Sequence, residues 1–426
     1  MAATAPAVAP PEPTALPRTL PTRPGAGLDA HLERLGPLPR VGPGLVDQVQ
    51  AAGLRGRGGA GFPTGTKLRA VAAGRRRPVV VANGTEGEPA SAKDRTLLVN
   101  APHLVLDGIT AATQALGADR AVLCVDRVQR PVLDAVHRAL DERRRLGTDP
   151  VRIELLAAPN RYVAGEETAL VRFVDGHDAK PTFVPPRPFE KGVGGRPTLV
   201  DNVETLAQIG LIARFGGDWY RAVGTADEPG TLLVTLSGAV AQAGVREVPS
   251  GTGLAATLVG AGVDPDRIGA VLVGGYFGAW LDRPTAWSSA LSHASLRSAG
   301  GALGCGVVFV HPVDRCGLAE TASIARWLAG ENAGQCGPCM YGLPAIADAL
   351  DHLALGTRHA AAAVGRLEQL LPAVEGRGAC RHPDGAVRLV RSALATFAAD
   401  VEAHASGRPC PAQQPWLPTP EPGAWR

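Results

Sequence analysis

No apolar run in this 426-residue chain is long enough to cross a membrane: the longest, IGAVLVGGYFGAWL, is broken by glycines and falls short of the ~20 residues a span needs. The N-terminal MAATAPAVAPPEPTALP lacks the basic start, apolar core and small-residue cleavage site of a secretory signal. An excess of one charge is also missing. Lysine and arginine number 43 against 40 aspartates and glutamates, a balance that excludes a nucleic-acid binder or a polybasic membrane anchor. The triplets Arg75 to Arg77 and Arg143 to Arg145 read as solvated ends of elements. Cysteine is scarce: seven residues do not make a disulfide framework, and three of them gather between residues 336 and 380, as a metal site in a reducing compartment would. These absences describe a cytoplasmic protein without direct membrane insertion, at most peripheral to a membrane complex.

What is present divides into three domains between two tails. Residues 1–40 hold nine of the 37 prolines and residues 407–426 hold six, so both ends are expected to lack helix and sheet, the first as a disordered tail. Over 41–228, short β-branched runs (PVVVAN, RAVLCVD, VRIELLAAP) alternate with helical segments, the signature of an α/β domain with a mainly parallel sheet. Residues 229–312 read as short strands with Gly and Pro turns around a small helix, a small α+β module. Residues 313–406 carry four helical segments with apolar positions at three-and-four spacing, and segments this short and close predict a helical bundle.

The stretch GLRGRGGAGFPTGTKL packs six glycines between Gly53 and Gly65, among Arg55, Arg57 and Lys67. Without Cβ atoms such a loop lets backbone N–H groups approach a phosphate, and cations add charge-assisted bonds. It is neither a dinucleotide fingerprint, since no strand immediately precedes it, nor a P-loop, since it lacks the GK[ST] ending. NGTEGEP (Asn83 to Pro89) follows a strand directly, where open α/β sheets bind ligands. Glu166 and Glu167 in YVAGEETAL, and Asp201 and Asn202 in RPTLVDNVETLA, stand at expected helix starts, where capping alone accounts for such residues. Together they form a polar ring at one end of one sheet, suited to ribose or ribityl hydroxyls.

These motifs, in this order and with GQCGPC and Cys380 after them, all within residues 50–400, resemble the flavin-carrying F subunit of bacterial NADH-quinone oxidoreductase. The resemblance implies an α/β FMN-binding domain, a β-grasp-like (SLBB-type) module and a C-terminal four-helix bundle with an iron-sulfur-type site. It implies a non-covalent FMN with Gly56, Arg57, Gly58, Gly59 and Lys67 on the phosphate side, and Asn83, Glu86, Tyr162, Gly165, Glu166, Asp201 and Asn202 around the ribityl chain and ring. NAD(H) would be the substrate, positioned by Phe62 and by Glu88 and Glu167 as catalytic residues. Hydride would pass from NADH to flavin, and single electrons onward through an iron-sulfur cluster to a redox partner, a [2Fe-2S] thioredoxin-like or ferredoxin subunit.

The chain departs from that family's pattern at informative places. Ala70 stands for a second phenylalanine, Val184 and Arg187 for a lysine and a phenylalanine, Thr85 for an acidic residue and Asp201 for an asparagine. Aromatic stacking on a base contributes ~1 to 3 kcal/mol, so losing two rings weakens nucleotide binding unless another group compensates. Arg187 could stack, or reach a 2'-phosphate and favour NADPH. The alternative function is a flavin-bearing relay or docking protein without a pyridine nucleotide. Ala333 replaces the first of the family's four cluster cysteines, leaving Cys336, Cys339 and Cys380. A [4Fe-4S] cluster with a non-cysteine fourth ligand (Asn332, His382 or Cys316), a [3Fe-4S] cluster, zinc on the three thiols with His382, and thiols without metal all remain open. Cys124, Cys305 and Cys410 read as fillers.

Overall fold

The computed structural model describes residues 12–22, 27–147, 149–150 and 152–426. The N-terminal part of the expected tail, residues 1–11, lies outside them. In the remainder a helix has formed: α1 (Leu28–Leu35) buries Leu28, His31 and Leu35. His31 Nε2 lies 2.6 Å from Asp107, whose carboxylate also meets Arg143 at 2.8 Å and Arg214 at 2.5 Å. The prolines flank this helix without entering it, and a buried ion cluster holds it; that is why a disordered reading of 1–40 fails for this segment.

Helices α2 (Gly44–Ala52) and α3 (Thr64–Ala72) bracket the glycine loop. Four strands follow, β1 (Val79–Gly84), β2 (Arg120–Asp126), β3 (Ile153–Ala158) and β4 (Thr198–Asn202), all parallel in the order β3-β2-β1-β4. Val79 to Ala82 are fully buried, as expected of a strand covered on both faces. The crossovers are α4 (Lys93–Asn100) and α5 (Pro102–Leu116), then α6 (Arg130–Leu146), then α7 (Glu167–Val174) and the short α8 (Pro188–Lys191). The long α9 (Val203–Arg221) closes the domain against α5, and Gly108 permits that contact, since a Cβ there would stand 1.8 Å from the Leu206 carbonyl oxygen.

The second sheet orders β6 (Gly244–Pro249), β5 (Thr231–Gly238), β9 (Val307–Pro312), β7 (Ile268–Val273) and β8 (Ala279–Asp282), mixed in direction, with α10 (Leu254–Val259), α11 (Arg283–Ser288) and α12 (His293–Ser298). The helical region holds α13 (Gly317–Gly330), α14 (Leu343–Ala354), α15 (Ala360–Val374), α16 (His382–Thr396) and a short fifth helix, α17 (Ala398–Ala405). One apolar cluster joins it to the second sheet through Tyr276, Trp280, Leu318, Leu328, Val390 and Phe397. The proline-rich C-terminus has neither helix nor strand, as expected, yet it is packed. Pro420 accepts from Trp327 Nε1 at 2.7 Å, Glu320 accepts the N–H groups of Trp416 and Leu417, and Arg161 lies 4.2 Å over the Trp425 ring. It is a strap running from the bundle to the first domain.

Candidate functional site

Strand order locates the first site. From β1 the chain winds to β2 and β3 on one side and returns to β4 on the other, so the crevice beyond the carboxyl ends of β1 and β4 is the switch point where open α/β sheets take ligands. Asn83 and Asn202 end these strands as register partners. The glycine loop folds back beside them: Gly56 N–H donates to Phe62 O at 2.9 Å, and a Cβ on Gly58 would come within 3.3 Å of Asn202 Cβ. Lys67, in α3, points to the same place, with Nζ 2.9 Å from Val200 O, 3.4 Å from Asp201 Oδ1 and 3.9 Å from Glu167. Asp201 is buried, burial raises its carboxyl against the pull of Lys67, and its Oδ2 has no hydrogen-bond partner. A buried acceptor beside a cation and a bare loop fits a phosphate- and hydroxyl-bearing group.

Other residues expected at this site hold the frame. The Arg57 guanidinium is buried and reaches Tyr220 and Ser250, both at 3.4 Å, while its N–H donates to Thr205 Oγ1. The loop therefore offers its backbone and Lys67, with Arg57 as anchor. Glu166 caps α7, accepting from the N–H groups of Thr168 and Ala169. Glu86, at φ 38°, accepts from Asp94 and Arg95 N–H and from Ser91 Oγ at the start of α4. A residue outside the sequence expectation is central. Lys93 is 2% exposed, and its Nζ lies 2.7 Å from Asp94, 2.9 Å from Glu204 and 3.2 Å from Asn202 Oδ1. Burial alone would lower its pKa; the two carboxylates override that and hold it above the ordinary lysine value.

Glu88 and Glu167, expected to position a nucleotide, differ in access. Glu167 is partly exposed between Lys67 and Arg187. Glu88 is buried, accepting from Tyr276 N–H at 2.8 Å, Tyr162 Oη–H at 3.1 Å and Ala90 N–H at 3.2 Å. Burial outweighs these bonds and pushes its carboxyl up to about 7. Between the ordinary glutamate value and 7 the folded chain keeps a proton that the unfolded chain has lost, so this group's contribution to stability falls as pH rises through that window. The size is roughly 3 kcal/mol at ~1.4 kcal/mol per pH unit. Urea midpoints of wild type and Glu88→Gln at pH 4.5 and 7.5 should diverge in favour of the variant by that amount at the higher pH. A difference independent of pH would overturn the assignment.

Phe62 is 47% exposed, available to a ligand. Ala70 lines a groove of about 390 Å³ with Arg75, Arg76 and Phe189. Phe189 brings a ring to the neighbourhood that lost one, and the arginines read as a solvated element end line a cleft.

The second site is the cysteine turn. Ala333, Cys336, Cys339, Cys380 and His382 line one small cavity with Val163 and Pro181 of the first domain. Ala333 therefore stands among the thiols, where a further cysteine would face the same space. Cys339 is buried, and burial with its neighbours Cys336 and Cys380 raises its thiol well above the ordinary value; burial pushes Cys380 up to about 11. His382 Nε2 donates to Leu328 O at 2.8 Å, and its buried Nδ1 has no hydrogen-bond partner. Asn332 is occupied by Ala329 O and Gly334 N–H. Cys316 is no part of the turn: it caps the opposite end of α13, about 20 Å away at 1.5 Å per residue. Three thiols and one buried nitrogen fit an iron-sulfur cluster.

The sites share one loop. Gly165 O accepts from Asn83 Nδ2 at 2.7 Å, Tyr162 packs edge-on against Phe277, Trp327 and His382, and Val163 between them lines the cysteine cavity.

Two family models match: the Nuo51 FMN-binding domain over residues 49–211 and the NADH-ubiquinone oxidoreductase-F iron-sulfur binding region over 319–404. The F subunit of the NADH-quinone oxidoreductase of Streptomyces coelicolor is 32% identical over 384 residues, covering 86% of this chain and 84% of the relative. The chain belongs to the family of NADH-quinone oxidoreductase F subunits. Another relative of this F-type protein is the NADP-reducing hydrogenase subunit HndC of Solidesulfovibrio fructosivorans, 32% identical over 86% of this chain and 77% of its own length. The solved NAD+-reducing [NiFe]-hydrogenase in its H2-reduced state superimposes with a TM-score of 0.76 at 33% identity, over 86% of this chain and 63% of the hydrogenase chain. The F-type chain thus spans less than two thirds of that solved protein.

Proposed function

We propose that this chain is the flavin subunit of an NADH-oxidising electron-transfer assembly, holding FMN at the β1/β4 crevice and an iron-sulfur cluster at the cysteine turn. The single observation that carries the reading is the loop from Tyr162 to Glu166, which touches the flavin crevice through Gly165 and the cysteine cavity through Val163. FMN, when bound, supplies acceptance of a hydride and release of single electrons. The protein's part is to hold and orient. The Gly58 and Gly59 backbone and the Lys67 ammonium would take the phosphate side; Asn83 and Asp201 offer an amide hydrogen and a free carboxylate oxygen to hydroxyls, and Asn202, its amide engaged by Asp94, Asn83 O and Lys93, holds the crevice in shape. Phe62 and Glu167 face outward for the nucleotide, with Glu88 supporting the floor through Tyr162. Cys336, Cys339 and Cys380 would hold the cluster, and His382, with its unpartnered Nδ1, would complete its ligands. The acceptor would be a separate redox protein, of the [2Fe-2S] thioredoxin-like or ferredoxin type, in the cytoplasm or on a membrane-peripheral arm.

Anaerobically purified protein should hold about one FMN, and its flavin colour should bleach on addition of NADH. Protein that is colourless and refuses added FMN at micromolar concentration would sink the reading. Lys67→Ala should weaken FMN binding about 10- to 100-fold, the ~1.5 to 3 kcal/mol of a charge-assisted bond, measured by fluorescence titration. An unchanged affinity would remove Lys67 from the phosphate side. Arg187, 54% exposed at its side chain beside Glu167, and the Arg75–Arg76 groove favour NADPH as a second reading. Titration with both nucleotides decides between them, and bleaching by neither leaves the relay function.

A further inference from the structure

A third group of ligating side chains lies away from both sites. Cys316 is the N-cap of α13, with Ala319 N–H 3.4 Å from its sulfur; His404 is fully buried in α17; Cys410 opens the C-terminal strap. The His404 nitrogen and the two sulfurs lie within 4.8 Å of one another. Nε2 is 3.2 Å from Cys410 Sγ and 3.8 Å from Cys316 Sγ. Nδ1 faces the Leu353 carbonyl at 3.1 Å, and a carbonyl only accepts, so the proton sits on Nδ1 and Nε2 presents its lone pair to the sulfurs. A backbone carbonyl behind the ring is the outer partner that metal-bound histidines use. Cys410 N–H now donates to Nε2 at 2.9 Å, a turn contact that a metal would replace.

We propose that Cys316, His404 and Cys410 form a three-ligand zinc site, its fourth position left to water, that fastens the C-terminal strap to the helical bundle. Two thiolates and an imidazole make a borderline-soft donor set that suits tetrahedral zinc with one open position; calcium and magnesium want oxygen alone. Binding displaces the two thiol protons and leaves the site without net charge. Affinity therefore rises by up to about 100-fold per pH unit below the thiol pKa values. The clip bears on the whole strap: Cys316 N–H donates to Ala412 O at 3.1 Å, Glu320 of the same helix holds Trp416 and Leu417, and Gly423 N–H reaches Asn160 O of the first domain. This proposal is independent of the flavin reading, because zinc and iron are counted separately.

The test uses the full chain expressed with zinc supplied, purified anaerobically and analysed by metal mass spectrometry. About one zinc per chain is expected, retained on dialysis, lost in Cys410→Ser and His404→Ala, and unchanged in Cys336→Ser, which loses iron instead. Cys410→Ser changes one partly exposed atom in the strap and guards against misfolding of the His404 variant. Cobalt in place of zinc should show near-ultraviolet thiolate absorption that falls in Cys410→Ser. Amide exchange at Trp416 and Leu417 should slow at least about tenfold with zinc. Zinc no higher in wild type than in both variants, or a Cys316–Cys410 disulfide in the anaerobically isolated chain, would overturn the proposal.

Discussion

Lys93→Met is expected to destabilise the folded chain by about 3 to 5 kcal/mol, the scale on which removal of one partner from a buried ion pair acts. Its ammonium is the cation shared by Asp94 and Glu204, and Asn202 Oδ1 completes its contacts. Methionine fills most of the volume and leaves both carboxylates in a dry interior. The damage would spread to the flavin crevice. Asn202 holds Asp94 through Nδ2 at 2.7 Å and Asn83 O at 3.3 Å, while Glu204 accepts the Leu233 N–H of the second sheet at 2.8 Å. Lys93 therefore ties α4, the end of β4 and β5 at one point. Urea denaturation should show the loss, and FMN affinity of the remaining folded protein should fall with it. The triple variant Lys93→Met/Asp94→Asn/Glu204→Gln removes the orphaned charges and should recover much of the stability. A single-variant cost under about 1 kcal/mol would mean that water reaches this cluster.

That lysine also shows where a linear reading stops. In ASAKDRTLL it resembles any lysine at a helix start, and only the pairing of β1 with β4 brings Asn202 to it from 109 residues away. That the glycine loop, Asn83 and Asn202 meet beyond the strand ends was legible because their signals are local: bare backbone, or a polar residue directly after a strand. Side-chain direction was not. Arg57 reads as a phosphate cation and is a buried anchor, because Tyr220 and Ser250 come from elements far along the chain. Glu86 and Glu166 read as ligand contacts, and their carboxylates satisfy helix N-termini. The same limit hid the partners of Cys316 and Cys410, which meet only after the strap folds over the bundle, and α1, whose His31 finds its carboxylate in α5. Proline content correctly denied helix and strand to the C-terminus, but it says nothing about packing, and the strap packs without either.

Ala333→Cys should restore a four-thiolate site. Ala333 already lines the cavity with Cys336, Cys339, Cys380 and His382, and Gly334 beside it takes φ 67°, turning the loop toward the cysteines. A thiolate at 333 replaces weaker ligation at one corner, so iron content should rise to four per chain. Loss of iron on air exposure should slow at least about tenfold, the scale on which one supporting group changes metal affinity. The added negative charge should also lower the reduction potential of the cluster. Cys336→Ser alone removes one of three thiols and should abolish the iron signal. Combined with Ala333→Cys it leaves three thiols again, and the double variant should bind iron like wild type. This rescue separates ligation from folding, since a serine that merely damaged the π-helical turn at Pro338–Gly342 would not be repaired by a sulfur at position 333, outside that turn. If the double variant stays iron-free while remaining folded by circular dichroism, position 333 does not face the cluster and the open ligand lies elsewhere.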